Sequence, residues 1–235
     1  MVHGVPVYVE TKAENEFRLT AEELRAAITP RTKAVVLPFP NNPTGGIMGR
    51  EDLEALAEVL RGTDIMVISD EIYAELTYGG NRHTSIASLP DMWERTILVS
   101  GFSKAFAMTG WRMGYVCAPK EIDEAMFKIH QYGIMCAPIM SQYAAIEALK
   151  DGFSDNFSMV EEMRDSYDKR RKFVLYSLKE IGFQTGCGFM VGAPYQTNHS
   201  LAMDLKFVED FRPAMCGIGP FIPHAATPFC KFSAG

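Results

Sequence analysis

The chain has 235 residues, 47% hydrophobic and 22% charged, which is close to a globular average and enough to bury one large core or two small ones. A net charge of -6 with no basic stripe argues against a nucleic-acid surface. No apolar run approaches the ~18 residues that cross a bilayer, and "MVHGVPVYVE" at the start is not a signal peptide.

Strand and helix signals alternate along the first 118 residues. "VPVYVE" (5–10) reads as a strand. Thr20 with Glu23 predicts a capping box that opens a helix over "AEELRAAI". "KAVVLPF" (33–39), bounded by Pro and Asn, reads as a buried strand, and "REDLEALAEVLRG" has the 3.6-residue period and ends on Gly62. "IMVISD" (65–70), "TILVS" (96–100) and "MGYVCA" (113–118) add three strands. Continuous apolar strands alternating with helices predict an α/β fold, a mostly parallel sheet covered by helices.

From 120 to 182 the pattern is helical. "KEIDEAMFKIHQY" and "MSQYAAIEALK" flank the break at Ala137-Pro138, and a long amphipathic helix is expected over 154–182. Such a helix often bridges a sheet domain to a smaller one, so the expected division is a large domain over 1–150 and an interdomain helix with a partial small α/β domain over 151–235. The last fifty residues show neither period. They are either a loop-rich cap or a segment that does not complete the domain. Five cysteines without a CxxC pair fit reduced thiols in the cytoplasm. The five histidines have no metal-ligand spacing, so no metal site is expected.

Chemistry-bearing residues gather just past strand ends, where an open α/β sheet builds its ligand crevice. "NNPTGG" follows the 33–39 strand with Asn42; "SDEIY" presents Asp70 and Tyr73; "SGFSK" presents Ser103 and Lys104; Arg112 precedes the last strand. Taken singly, each has a mild reading. "NPTG" is a turn, Asp70 a helix cap, Tyr73 core packing and Lys104 a solvated lysine. Together they match what pyridoxal phosphate needs. A lysine amine forms a Schiff base with its aldehyde. A carboxylate keeps the ring nitrogen protonated, an amide and a phenol bond the phenolate oxygen, and an arginine forks onto the phosphate.

"SGFSKAFAMTGWRMG" (100–114) resembles the lysine-attachment signature of the fold-type I pyridoxal-phosphate aminotransferases, class I/II, which include aspartate aminotransferase. "NNPTGG" and "SDEIYAEL" are similar to two further motifs of that family, in the same order. The resemblance covers about residues 1–183. It implies that Lys104 is the Schiff-base lysine and proton carrier, that Asp70 faces the ring nitrogen, and that Asn42 and Tyr73 hold the phenolate oxygen. Arg112 and Ser103 would bind phosphate. Where some members carry a serine three positions before the lysine, this chain has Gly101. "HQYGIMCAP" (130–138) resembles a segment beside the neighbouring subunit's site, which implies a homodimer.

The implied reaction moves an amino group between an α-amino acid and a 2-oxo acid. The resemblance also implies a chain that starts inside the large domain. The upstream glycine-rich turn and ring-stacking aromatic residue of the family have no counterpart here, nor does the "R-x-S" strand whose arginine clamps substrate; Arg212 does not fit that context. Two alternatives stay open: a non-catalytic fragment of the same fold, and a pyridoxal-phosphate lyase on the same scaffold.

Overall fold

In a computed structural model, residues 4–178 are described in full, together with the end of their last helix to 180 and the strands 186–191 and 214–220. Thr20 opens a helix as expected. Its Oγ1 accepts from the Glu23 N–H at 3.2 Å, and the Glu23 carboxylate accepts from the Thr20 N–H at 3.0 Å. This reciprocal cap satisfies two donors at the start of α1 (Ala21–Ala27). In α2 (Arg50–Leu60), Leu53, Leu56, Ala57 and Leu60 recur at helical spacing and are all buried. Gly62, at φ 71°, then turns the chain out of the helix.

Four strands form one sheet in the order β1 (Ala34–Pro38), β2 (Met66–Asp70), β3 (Thr96–Gly101) and β4 (Gly114–Cys117). The first two pairings are parallel and the third is antiparallel. In register, Pro38, Asp70 and Val99 stand side by side, so three strands deliver their carboxyl ends to one edge. Alternation decides which residues meet the helices. Leu37 and Val67 are buried with the apolar side of α2 and with Ile86, Leu89 and Met92, while Val36 points the other way and is 61% exposed.

Beyond β4 come α3 (Lys120–Gly133), α4 (Ile139–Asp155) and α5 (Ser158–Glu180). A second, smaller core joins Phe102 and Met108 to Ala145 of α4. Among the described residues no helix is long and apolar enough to cross a membrane. The chain divides into two units, Met1–Lys169 and Arg170–Gly235. The second contains the parallel pair β5 (Gly186–Val191) and β6 (Ala214–Pro220). Those strands fall within the stretch expected to show no period; the rest of that stretch lies outside the described residues.

Two expectations are corrected. No strand forms over 5–10, where Val5, Val7 and Tyr8 are exposed. A strand needs a neighbour's N–H and C=O groups, and among the described residues no strand pairs with this segment. The helix expected over 154–182 begins instead at Ser158. Asn156 and Phe157 both adopt left-handed φ (56° and 58°), which ends α4, and Asp155 accepts from the Ser158 N–H to start α5. Gly152 makes this reversal possible. A Cβ there would lie 2.4 Å from the Phe157 ring, which instead folds back against Phe153 at 5.1 Å between centroids.

Candidate active site

The turn after β1 is held by its own side chains. Asn41 Oδ1 accepts from the Thr44 hydroxyl at 2.8 Å, its Nδ2 donates to Pro38 O, and its backbone N–H donates to Gly46 O at 2.9 Å. Gly46 eases the close packing here, since a Cβ would sit tightly at 3.2 Å from Glu16 O and 3.3 Å from Phe17 O. With Asn41 and Thr44 committed to the turn, Asn42 is presented outward. Its Nδ2 donates to the Tyr73 hydroxyl at 3.2 Å, across 31 residues of sequence. Lys104 Nζ lies 5.3 Å from the centroid of the same Tyr73 ring, within cation–π range. An amide, a phenol and an amine thus converge at the edge formed by the ends of β1, β2 and β3.

Asp70 ends β2, and its Oδ1 accepts from the Ile72 N–H at 3.2 Å. No helix follows Asp70, so it is not the helix cap of the mild reading; one of its oxygens instead holds the turn at Ile72. Among the described residues, no donor reaches its Oδ2. Ser103 and Arg112 are joined through Thr109, which the sequence reading did not single out. The Thr109 hydroxyl donates to Ser103 O at 2.8 Å, and Arg112 Nη1 donates to Thr109 O at 2.9 Å. Arg112 stands at left-handed φ (53°) just before β4, and its side chain is exposed. Five of the six predicted residues, with Thr109, therefore form two adjoining sets, Asn42–Tyr73–Lys104 and Ser103–Thr109–Arg112. Asp70 sits at the root of the turn that carries Tyr73.

Gly101 has a steric reason. A Cβ there would lie 2.8 Å from Gly114 Cα and 2.9 Å from Met113 O, both backbone atoms of the antiparallel neighbour. A serine at this position would force β3 and β4 apart.

Under the sheet, Glu71 is 4% exposed and accepts three side-chain bonds: Ser69 Oγ at 2.9 Å, Ser85 Oγ at 2.7 Å and His83 Nε2 at 2.7 Å. Burial pushes this carboxyl up, but the bonds from His83, Ser85 and Ser69 and the charge of His83 outweigh it and hold it below the ordinary range. A cavity of about 540 Å³ lies beside it, lined by Glu71, His83, Leu98, Ser100, Phe106 and Phe157 among others. None of the six predicted residues lines this cavity.

The family profile for aminotransferase class I and II matches residues 1–193. The chain belongs to the class I and II aminotransferases. Two related aminotransferases are an aspartate aminotransferase of Pyrococcus abyssi and an aromatic-amino-acid aminotransferase of Thermococcus litoralis. The first is 50% identical over 77% of this chain and 46% of its own length. The second is 46% identical over 77% and 46%. The crystal structure of an aromatic aminotransferase from Pyrococcus horikoshii superposes with a TM-score of 0.71 at 50% identity. It covers 75% of this chain and 47% of that one. This aminotransferase chain spans about half the length of the curated relatives it matches. Members of the family use pyridoxal phosphate.

Proposed function

We propose that this chain holds pyridoxal phosphate and moves an amino group between an α-amino acid and a 2-oxo acid, with Lys104 as the reacting amine. The observation that carries the reading is the convergence of Asn42 Nδ2 on the Tyr73 hydroxyl at 3.2 Å with Lys104 Nζ 5.3 Å from the same ring. The donor set fits the cofactor group by group. Asp70 Oδ2, with no donor on it among the described residues, would hold a proton on a ring nitrogen, and Asn42 and Tyr73 would supply two hydrogen bonds for a phenolic oxygen. Ser103 and the fork of Arg112 suit a phosphate dianion. Among the described residues, Lys104 Nζ makes no ion pair, so its amine is available to bind an aldehyde carbon and then to carry a proton to and from a substrate Cα. When bound, the cofactor supplies an electron-accepting ring that stabilises the charge left as that proton departs.

In this reading residues 1–150 hold the cofactor, and 151–235 supply the connecting helix and a partial second α/β domain. The exposed free thiols of Cys117 and Cys136 support a reducing compartment, the cytoplasm. A homodimer is part of the same proposal. It is supported by α3, which buries no residue and leaves Phe127, Ile129 and Tyr132 in solvent. Sedimentation equilibrium should find a dimer; a monomer at micromolar concentration would remove that part.

The test of the reading as a whole is spectroscopic. Pyridoxal phosphate added to the purified chain should give a visible absorption band, and borohydride should then fix the cofactor to the peptide that contains Lys104. Lys104→Ala should show neither. If wild type and variant behave alike, the chain is a scaffold without the family's chemistry. Should capture succeed, aspartate and aromatic amino acids are the donors to try first, since the relatives' names include both.

A further inference from the structure

Asp70 and Tyr73 leave β2 on a turn that has no helix behind it, yet both must hold position to within a fraction of an ångström to grip a ring. Glu71, between them, is where that turn is fastened. Its backbone N–H donates to Val99 O at 2.8 Å, carrying the β2–β3 ladder one step past Asp70. Its carbonyl accepts from the Ala74 N–H at 2.9 Å and from Ser100 Oγ at 3.4 Å. Its carboxylate is bonded by Ser69 of β2 and by His83 and Ser85 from the far end of the same loop. One residue thus ties both ends of the segment 72–85 to the sheet. Tyr73 lies inside the closed span.

We propose that Glu71 is a positioning residue, whose buried carboxylate, held by Ser69, His83 and Ser85, fixes the turn that presents Asp70 and Tyr73 to the cofactor. The proposal rests on the cofactor reading above. The carboxylate touches none of the six site residues through its own oxygens, so its effect passes through the backbone of the turn. A buried charge with three donors on it is costly to disturb, because removing the charge leaves those donors facing a poorer acceptor. None of the apolar residues of α2 bonds this carboxylate; the link to their core runs only through Ser85, whose hydroxyl also caps the turn that carries Ile86.

The test uses the whole chain with Glu71→Gln, and with Ser69→Ala as a milder variant that removes one bond of the three. Amide hydrogen exchange without cofactor should rise about ten- to hundredfold at residues 72–76 in Glu71→Gln, and less in Ser69→Ala, with α2 unchanged. The dissociation constant of pyridoxal phosphate, from absorbance titration, should rise about tenfold. It should rise no further when Tyr73→Phe is added, because the two changes act on one contact set. Unchanged exchange at 72–76, or equal acceleration in α2, would overturn the positioning role. So would a variant that binds the cofactor as tightly as wild type. A wild-type chain that binds no pyridoxal phosphate overturns the cofactor reading itself and with it the proposal, whatever the exchange shows.

Discussion

Asp70→Asn is expected to slow the half-reaction with an amino donor by about 10²–10³-fold while leaving borohydride capture at Lys104 intact. The structure makes asparagine the informative replacement. One carboxylate oxygen already accepts from the Ile72 N–H at 3.2 Å, and an asparagine oxygen can keep that bond, so the turn survives. What disappears is the negative charge at Oδ2, the atom that in the proposed reading would hold a proton on the ring nitrogen. Asp70→Ala would confuse the two effects, because losing the turn bond alone costs about 1 kcal/mol. Single-turnover absorbance with an amino acid donor reads the rate, and peptide mass reads the capture. A rate within threefold of wild type would show that the Asp70 charge plays no part in the chemistry.

The six candidate site residues could be picked out because each lies just past a strand end or inside a short signature, where the local sequence states both the turn and the side-chain chemistry on offer. Asn42, Tyr73 and Lys104 come from three separate turns, yet the parallel register brings them to one edge, as the alternation of strands and helices implied. The supporting residues were not legible. Glu71 is one letter in "SDEIY", and nothing in its neighbourhood says that its carboxylate faces inward to meet a histidine twelve residues later. Thr109 joins Ser103 to Arg112 through a hydroxyl and a carbonyl. A carbonyl carries no side-chain signal, so sequence cannot show that half of the link.

The fold was readable where pattern and partner were both present. The capping box at Thr20 and the burial stripe of α2 are local, and both formed as read. The segment 5–10 has an equally good strand pattern but no strand paired with it among the described residues, and period alone cannot supply the missing hydrogen bonds. The break at Asn156-Phe157 escaped notice for a related reason. Its cause is a glycine four residues upstream that admits an aromatic ring, and amphipathic periodicity does not register that contact.

The largest stability effect should come from Leu56→Ala. Leu56 has no exposed surface and lies in the cluster that seats α2 against Leu37 of β1 and Val67 of β2. Removing three carbons from such a site costs about 2–5 kcal/mol, from lost transfer free energy and from the cavity left behind. Against a domain stability of about 5–15 kcal/mol, that is a large fraction. Val36→Ala is the matched control. It lies in the same sheet but is 61% exposed on the uncovered face, so its effect should stay within about 0.5 kcal/mol. Urea midpoints of the two variants measure the contrast. Equal shifts would mean that the α2 face is not the core that holds the sheet together. The comparison also bears on the site, because α2 packs behind the strands whose ends present Asn42 and Asp70. If strand placement sets the site, a fixed concentration of pyridoxal phosphate should stabilise Leu56→Ala less than wild type, because stabilisation by mass action falls as the dissociation constant rises.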